Sequence, residues 1–191
     1  MPRPGGRGSL RRTRSAAIAA FGVAIVAAVP FARAEVILTE EAALKRAFPG
    51  TALLRRTLYL TAPQVAAVQK TARSKLPSPV ITVFEARSGD AVTGRGVLDT
   101  HVVRTMPETV LTVTEPDGRL RMALVLQFGE PPDYLPRAAW LSTLAGKPLD
   151  DDLWPGRGIR RVTGSTLTVQ ALTEAVRRAL AVDALVLRAA P

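Results

Sequence analysis

The chain has 191 residues, of which 26 are basic and 16 acidic, so its formal net charge at neutral pH is +10. It has no cysteine and a single histidine, His101, which excludes disulfides, thiol nucleophiles and metal or haem sites built from several histidines. The basic excess does not indicate nucleic-acid binding, because six of the arginines lie in residues 1–34, a predicted leader.

Residues 1–34 have the composition of a secretory signal peptide. Arginines precede an apolar stretch, residues 16–29, that is short for a membrane span, and the small-residue sequence Ala32-Arg33-Ala34 follows. We therefore expect export to the periplasm and cleavage after Ala34. The alternative is an uncleaved leader that anchors the chain in the inner membrane. Cleavage would leave residues 35–191, with 20 basic and 16 acidic side chains, net charge +4, and enough length for one domain with a hydrophobic core.

The first part of this domain is predicted to contain two helices separated by a strand. Thr39, followed by two glutamates, is typical of a helix start. Residues 53–60 are predicted to form the strand. Thr61 and Gln64 match a capping box for a second helix, which the proline-containing segment 77–79 is expected to stop.

The middle of the chain is predicted to be an antiparallel sheet. Residues 80–86, 95–104 and 109–115 are rich in β-branched residues and are bounded by Gly, Asp and Pro. After a Pro-Asp-Gly turn at 116–118, apolar side chains alternate along residues 120–126. This pattern predicts a hairpin strand with one buried face.

The C-terminal part is predicted to be helical. A short helix should have Pro136 in its first turn and Trp140 in the core. A last helix is predicted from apolar residues at helical spacing, Val169, Leu172, Val176 and Leu180. It should begin near Thr168, with Arg177 and Arg178 facing solvent near its end. The predicted fold class is therefore α+β: a single domain with an antiparallel sheet, flanking helices and a C-terminal helix.

The segment Thr163-Gly164-Ser165-Thr166 lies in the strand-to-helix turn before this last helix. Such a turn offers free backbone N–H groups and the positive end of the helix dipole, and both favour a bound phosphate. Gly164 lets the backbone approach a ligand closely. Taken alone, however, a Ser/Thr cluster before a helix is more often only a cap.

The segment 163–168, TGSTLT, resembles the S/T-G-A-T-x-S/T motif of the FMN-binding domain family. This family includes the flavin-carrying domains of the sodium-pumping NADH:quinone reductase and of the Rnf complex, together with small exported flavoproteins. The hairpin at Asp117-Gly118, the Glu-Pro-Pro sequence at 130–132 and the stretch 99–105 are also similar to segments of the family. The resemblance covers about residues 80–185.

The resemblance implies an exported electron carrier in which Thr166 holds FMN through a phosphoester, attached by a dedicated periplasmic flavin transferase. It implies further cofactor-binding residues in the turn and outside it, namely Thr163, Gly164, Ser165, Leu167, Thr168, Glu130 and His101. Its redox partners, membrane-associated proteins included, are not named by the sequence. The chain departs from the family pattern at Arg160, where the family has Asp, and at Ser165, where it has Ala.

Several alternatives remain open at this point. A non-redox binding or assembly module of the same fold, without covalent flavin, is favoured by Arg160. A threonine hydrolase would need a base within hydrogen-bonding reach of Thr166. His101 is the first candidate for such a base, but its other role is that of a hydrogen-bonded structural residue. Trp154 is a candidate for stacking on the flavin, and residues 150–152 are expected to form a solvated acidic loop instead of a metal site.

Overall fold

A computed structural model describes residues 34–189, which form one compact unit. The strands are β1 (Glu35–Val36), β2 (Ala52–Tyr59), β3 (Val80–Ser88), β4 (Ala91–Val102), β5 (Pro107–Thr114) and β6 (Leu120–Phe128). The helices are α1 (Glu40–Ala47), α2 (Ala62–Ala72), α3 (Ala138–Ser142) and α4 (Thr166–Val182), and a π-helical turn, Asp183–Leu187, follows α4. The predicted signal peptide lies outside the described residues, apart from Ala34.

The six strands form one antiparallel sheet in the order β1-β6-β5-β4-β3-β2. Helix α4 packs against β4 and β5 on one face of the sheet, and α1 contacts β6. The predicted α+β class, with an antiparallel sheet and a C-terminal helix, is confirmed. None of the helices in the described range combines the length and apolarity that a membrane crossing needs.

The first two helices begin where the sequence predicts. The Thr39 hydroxyl accepts a hydrogen bond from the Ala42 N–H at 3.2 Å, and Thr61 and Gln64 form the predicted reciprocal capping box. The predicted end of α2 is wrong. The helix ends before the proline segment, because Arg73 adopts a left-handed conformation with φ of 54° and its N–H bonds to the carbonyl of Gln69.

Strand β6 is buried on both faces, so the prediction of a single buried face is wrong. Its pairing with β5 shifts register twice, once between Val113 and Thr114 and once between Thr109 and Val110. Each β-bulge inserts an extra residue on β6 and resets the alternation of side chains. Both faces are buried because helices cover both: Val125 packs in the cluster that contains α4 residues, and Leu124 packs in the cluster that contains α1 residues.

Helix α4 begins at Thr166, earlier than the predicted start near Thr168. Its predicted apolar face is confirmed, since Val169, Leu172, Val176 and Leu180 are all buried in one cluster with residues of β5, β6 and α3. Burial of side chains of this size stabilises the fold by roughly 1.5–3 kcal/mol each. The short helix α3 begins at Ala138, so the prediction that Pro136 lies in its first turn is wrong, whereas Trp140 lies in the core as expected.

The expectation that Arg177 and Arg178 face solvent is wrong. The two residues are 2% and 4% exposed, because α2 and its following turn cover this side of α4. Arg178 donates from Nε and Nη2 to the two carboxylate oxygens of Asp99, both at 2.8 Å. Arg177 donates to the backbone carbonyls of Ala72 at 2.8 Å and Asp150 at 2.6 Å. These partners lie 27 to 105 residues away in the sequence.

Candidate cofactor site

The turn before α4 leaves the N-terminus of this helix open. Gly164 has a φ of 83°, which only glycine adopts readily, and open space surrounds the position of its missing side chain. Ser165 is the N-cap residue, but no side-chain cap hydrogen bond forms among the described residues. The Val169 N–H bonds to the Ser165 carbonyl at 2.8 Å, which starts the helical ladder. The N–H groups of the first turn therefore remain free for a ligand.

The hydroxyl groups of TGSTLT differ in their access to solvent. Ser165 and Thr168 are buried, with 4% and 2% of their surface exposed, whereas Thr163 and Thr166 are exposed. Of these two, Thr166 is the first residue of α4 and Thr163 lies in the turn before it. Leu167, beside Thr166, is also exposed. A modifying enzyme would therefore reach Thr166 at the helix start, while Ser165, the second hydroxyl beside it, is shielded.

Two cavities meet at Thr166. The smaller has a volume of about 160 Å³ and is lined by the backbone and side chains of residues 164–168 together with Arg104 and Tyr134. The larger has a volume of about 330 Å³ and is lined by Trp154, Pro155, Arg161, Val162, Thr166, Val169 and Gln170. Each cavity thus offers one arginine and one aromatic side chain next to the exposed hydroxyl.

Arg104 is held in place by two neighbours. Its guanidinium lies 5.6 Å from the centre of the Tyr134 ring, within the range of a cation–π contact. Next to it, Glu130 Oε1 accepts hydrogen bonds from the N–H groups of Thr105 at 2.8 Å and Met106 at 3.0 Å. These bonds, the one from Thr105 first, lower the pKa of the Glu130 carboxyl. Glu130 therefore fixes the segment that follows Arg104, and it lines neither cavity.

His101 lies in a buried network on the sheet face beneath α4. Its Nδ1 is 2.8 Å from Asp99 Oδ1 and its Nε2 is 3.0 Å from Glu108 Oε2, and Arg178 completes the network through Asp99. Because both ring nitrogens contact carboxylates, His101 has the contacts expected of a hydrogen-bonded structural residue. It does not line either cavity at Thr166.

The network shifts the ionisation of its members. Burial opposes the charge of His101, but hydrogen bonds to Asp99 and Glu108 outweigh it and raise the pKa of the imidazole. Burial raises the pKa of Glu108, and His101 counteracts this only in part. Burial also opposes ionisation of Asp99, yet hydrogen bonds from Arg178 and His101 hold its pKa below the usual value. A neutral imidazole donates from one nitrogen only, so His101 and Glu108 together must hold an additional proton to satisfy both contacts.

The remaining candidates occupy the loop that leads into the turn. Trp140 Nε1 donates to the carbonyl of Arg160 at 2.7 Å, so the core tryptophan fixes the backbone here while the Arg160 side chain is exposed. Asp151 is exposed and pairs with Arg73 at 2.8 Å and with Arg157 at 3.3 Å. Asp151 thus pairs with surface arginines, while Asp150 accepts hydrogen bonds from the backbone of its own loop.

Several residues that line the cavities were not predicted as site residues from the sequence. Arg104 falls inside the family-like stretch 99–105, and that resemblance was the one available signal for it. Tyr134 and Arg161 reach the cavities only through the packing of their loops against the start of α4, and no local pattern marks them.

Comparison with protein-family models and with the curated proteins found no match to this chain. The chemistry of the site has to be judged from its own residues. It combines an exposed hydroxyl, an open helix N-terminus, two arginines and two aromatic side chains within adjoining cavities. Such an arrangement suits a phosphate ester that carries a planar group.

Proposed function

We propose that this protein is an exported flavoprotein that carries FMN on Thr166 through a phosphoester and acts as an electron carrier. The observation that supports this most is the position of Thr166, an exposed hydroxyl in the first turn of an uncapped helix, where two cavities meet. The resemblance of TGSTLT to the flavin-attachment motif selects the same residue.

The electrostatics around Thr166 fit a phosphodiester anion. The free N–H groups and the dipole of α4 favour negative charge at this end of the helix. Arg104 lines one adjoining cavity and Arg161 the other, and an arginine is well suited to phosphate oxygens. The two arginines and the N-terminus of α4 would therefore stabilise the negative charge of the phosphate together.

Attachment requires a flavin transferase and an activated FMN donor whose phosphate bears a leaving group. The bond between Thr166 Oγ1 and phosphorus forms as the bond from phosphorus to the leaving group breaks, and the hydroxyl proton departs with that group. No electron is transferred in this step. The exposure of Thr166 and of the preceding Gly164 gives an enzyme access to the hydroxyl.

Bound FMN would supply electron exchange in single or paired steps, and the protein supplies attachment and electrostatics. The arginines would hold the phosphate. Glu130 would keep Arg104 in position through its hydrogen bonds to the residues that follow Arg104. The electron donor and acceptor are separate proteins, membrane-associated ones included. Nucleic acid has no part in this function.

The hydrolase alternative has little support, because both nitrogens of His101 already contact carboxylates. The runner-up is a binding or assembly module of the same fold without covalent flavin. The exposed Arg160 favours it, since the family has a carboxylate at this position, three residues before the motif.

The first test is co-expression with a flavin transferase, followed by intact mass measurement. Wild type should gain the mass of one FMN minus one water, and Thr166→Ala should not. Thr163→Ala is the matched control, because it removes the other exposed hydroxyl of the motif and should still be labelled. Labelling of Thr166→Ala, or a wild type that is never labelled, would contradict the proposal.

The same assay separates the two candidate functions. If Arg160 only weakens recognition by the transferase, Arg160→Asp should raise the labelling yield above that of wild type. Labelling of Arg160→Asp alone would support the module without flavin as the native function.

Export can be tested on the protein from its own cell. Cleavage after Ala34 predicts Glu35 as the N-terminal residue of periplasmic protein. Finding Met1 on membrane-bound protein would support the anchored alternative.

A further inference from the structure

Trp154 has an environment that core packing does not explain. It is half-buried in the loop between α3 and α4, and it is not a member of any of the three clusters of buried apolar side chains. Its side chain instead lines the larger cavity, next to Thr166. A large aromatic group at a cavity wall is typical of small-molecule sites, and about 330 Å³ falls within their usual size.

The ring of Trp154 is held by a contact with Arg177. The guanidinium carbon of Arg177 lies 4.5 Å from the centre of the indole ring, which is a close cation–π contact. Arg177 is itself immobilised, because it is buried and donates to the carbonyls of Ala72, Asp150 and Leu153. One buried cation therefore ties the Trp154 loop to both α2 and α4.

We propose that Trp154 is the surface on which the isoalloxazine ring of the FMN stacks, and that Arg177 is the positioning residue for this surface. The inference rests on the proposed function, and it adds the location of the redox-active ring. Flat aromatic groups prefer offset stacking, and a rigid indole lowers the entropic cost of such a contact. The phosphate, bonded to Thr166, would lie where the two cavities meet, with Arg104 on the side of the smaller one.

Flavin fluorescence tests the stacking directly, because an indole in contact with an excited flavin quenches it by electron transfer. FMN-loaded wild type should be dim and should show high fluorescence anisotropy. Trp154→Leu should be several-fold brighter and show lower anisotropy, since the ring loses its surface. Trp154→Phe should be brighter while keeping high anisotropy, because phenylalanine retains a flat face but is a poor electron donor.

The chain offers a matched control, since its other tryptophan is Trp140 in the core. Trp140→Phe should remain as dim as wild type. Arg177→Met should lower the anisotropy less than Trp154→Leu does, and circular dichroism should establish that each variant is folded. If Arg177→Met does not fold, the Trp154 variants decide the matter alone.

The outcomes for the two proposals are distinguishable. If the FMN mass is present and Trp154→Leu matches wild type in brightness and anisotropy, the stacking inference is wrong and the proposed function stands. Brightening by Trp140→Phe in place of Trp154→Leu would overturn it as well. If no FMN mass is ever found, the proposed function fails, and the inference fails with it.

Discussion

The polar groups at the two ends of helix α4 lie in opposite environments. At the N-terminal end, the Thr166 hydroxyl is exposed and no side chain caps the helix among the described residues. Toward the C-terminal end, Arg177 and Arg178 are buried, and their donors bond to partners inside the protein. Polar groups that are satisfied internally belong to the scaffold, whereas polar groups left open on the same rigid element are available to a ligand.

The C-terminal part of α4, with Arg177 and Arg178, positions its N-terminal end at Thr166 through contacts that are distant in sequence. Asp99 on β4 and Glu108 on β5 meet His101 and Arg178 beneath α4. This network sets how α4 lies across the sheet, and therefore where Thr166 is presented. Changes at the two ends should accordingly have different effects, on stability at one end and on labelling at the other.

The largest expected effect is the loss of stability in Arg178→Met. This variant leaves Asp99 buried without its bidentate partner, and removal of one member of a buried ion pair costs about 3–5 kcal/mol. Urea denaturation measures the change. The control is Arg157→Met, which breaks an exposed pair with Asp151 and should cost about 0–1 kcal/mol. Equal costs for the two variants would contradict the assignment of Arg178 to the scaffold.

A second, smaller effect is a dependence of stability on pH. The pKa of His101 is raised above its ordinary value of 6.5, so its contribution to stability is complete below 6.5 and is lost as the pH rises through the folded-state value. The pKa of Glu108 is raised above 4.5, and its contribution changes in the same direction. The contribution of Glu108 begins to fall above pH 4.5 and that of His101 above pH 6.5, so the free energy of unfolding should fall across neutral and alkaline pH, by at most about 1.4 kcal/mol per pH unit for each proton lost.

Urea titrations between neutral and alkaline pH measure this slope. His101→Gln removes the titrating imidazole and should flatten the curve. An equal slope in wild type and variant would show that the network does not hold the proton as described.

The smallest expected effect is a difference in stability loss between substitutions at two helix caps. Thr61 makes a capping box at α2, and Thr61→Ala should cost about 1 kcal/mol. Ser165 makes no side-chain cap bond at α4, so Ser165→Ala should cost only a few tenths of a kcal/mol. It should also leave FMN labelling intact, because the Thr166 hydroxyl remains. Thermal denaturation and intact mass provide the two measurements, and a larger loss in Ser165→Ala would show that the open helix end is in fact capped by this residue.

Features with a local cause were predictable from the sequence. The caps at Thr39 and Thr61 and the apolar face of α4 depend on residues within one or two helical turns, and the structure confirms them. The turn at Gly164 was recognised in the same way, although the segment that leads into it is a loop and not the predicted strand. Local periodicity is sufficient where the physical cause lies within the element itself.

Features that depend on distant partners were not predictable. Arg178 was expected in solvent, since nothing near it in sequence indicates Asp99, 79 residues away. Both faces of β6 are buried because helices cover both, and its bulges arise from its pairing with β5. Alternation within the strand indicates neither feature. For the same reason Arg161 was not recognised as part of the cavity wall. Trp154 was a candidate for stacking on the flavin, but only the packed loops place it in a cavity beside Thr166.

The measurement that tests the central claim most directly is the mass of one tryptic peptide. Cleavage after Arg161 and Arg177 releases residues 162–177 from protein purified from its own cell, and this peptide contains the whole TGSTLT motif. We predict a peptide heavier by one FMN minus one water, with fragmentation that locates the addition on Thr166. An unmodified peptide, or an addition on Ser165 or Thr168, would contradict the account.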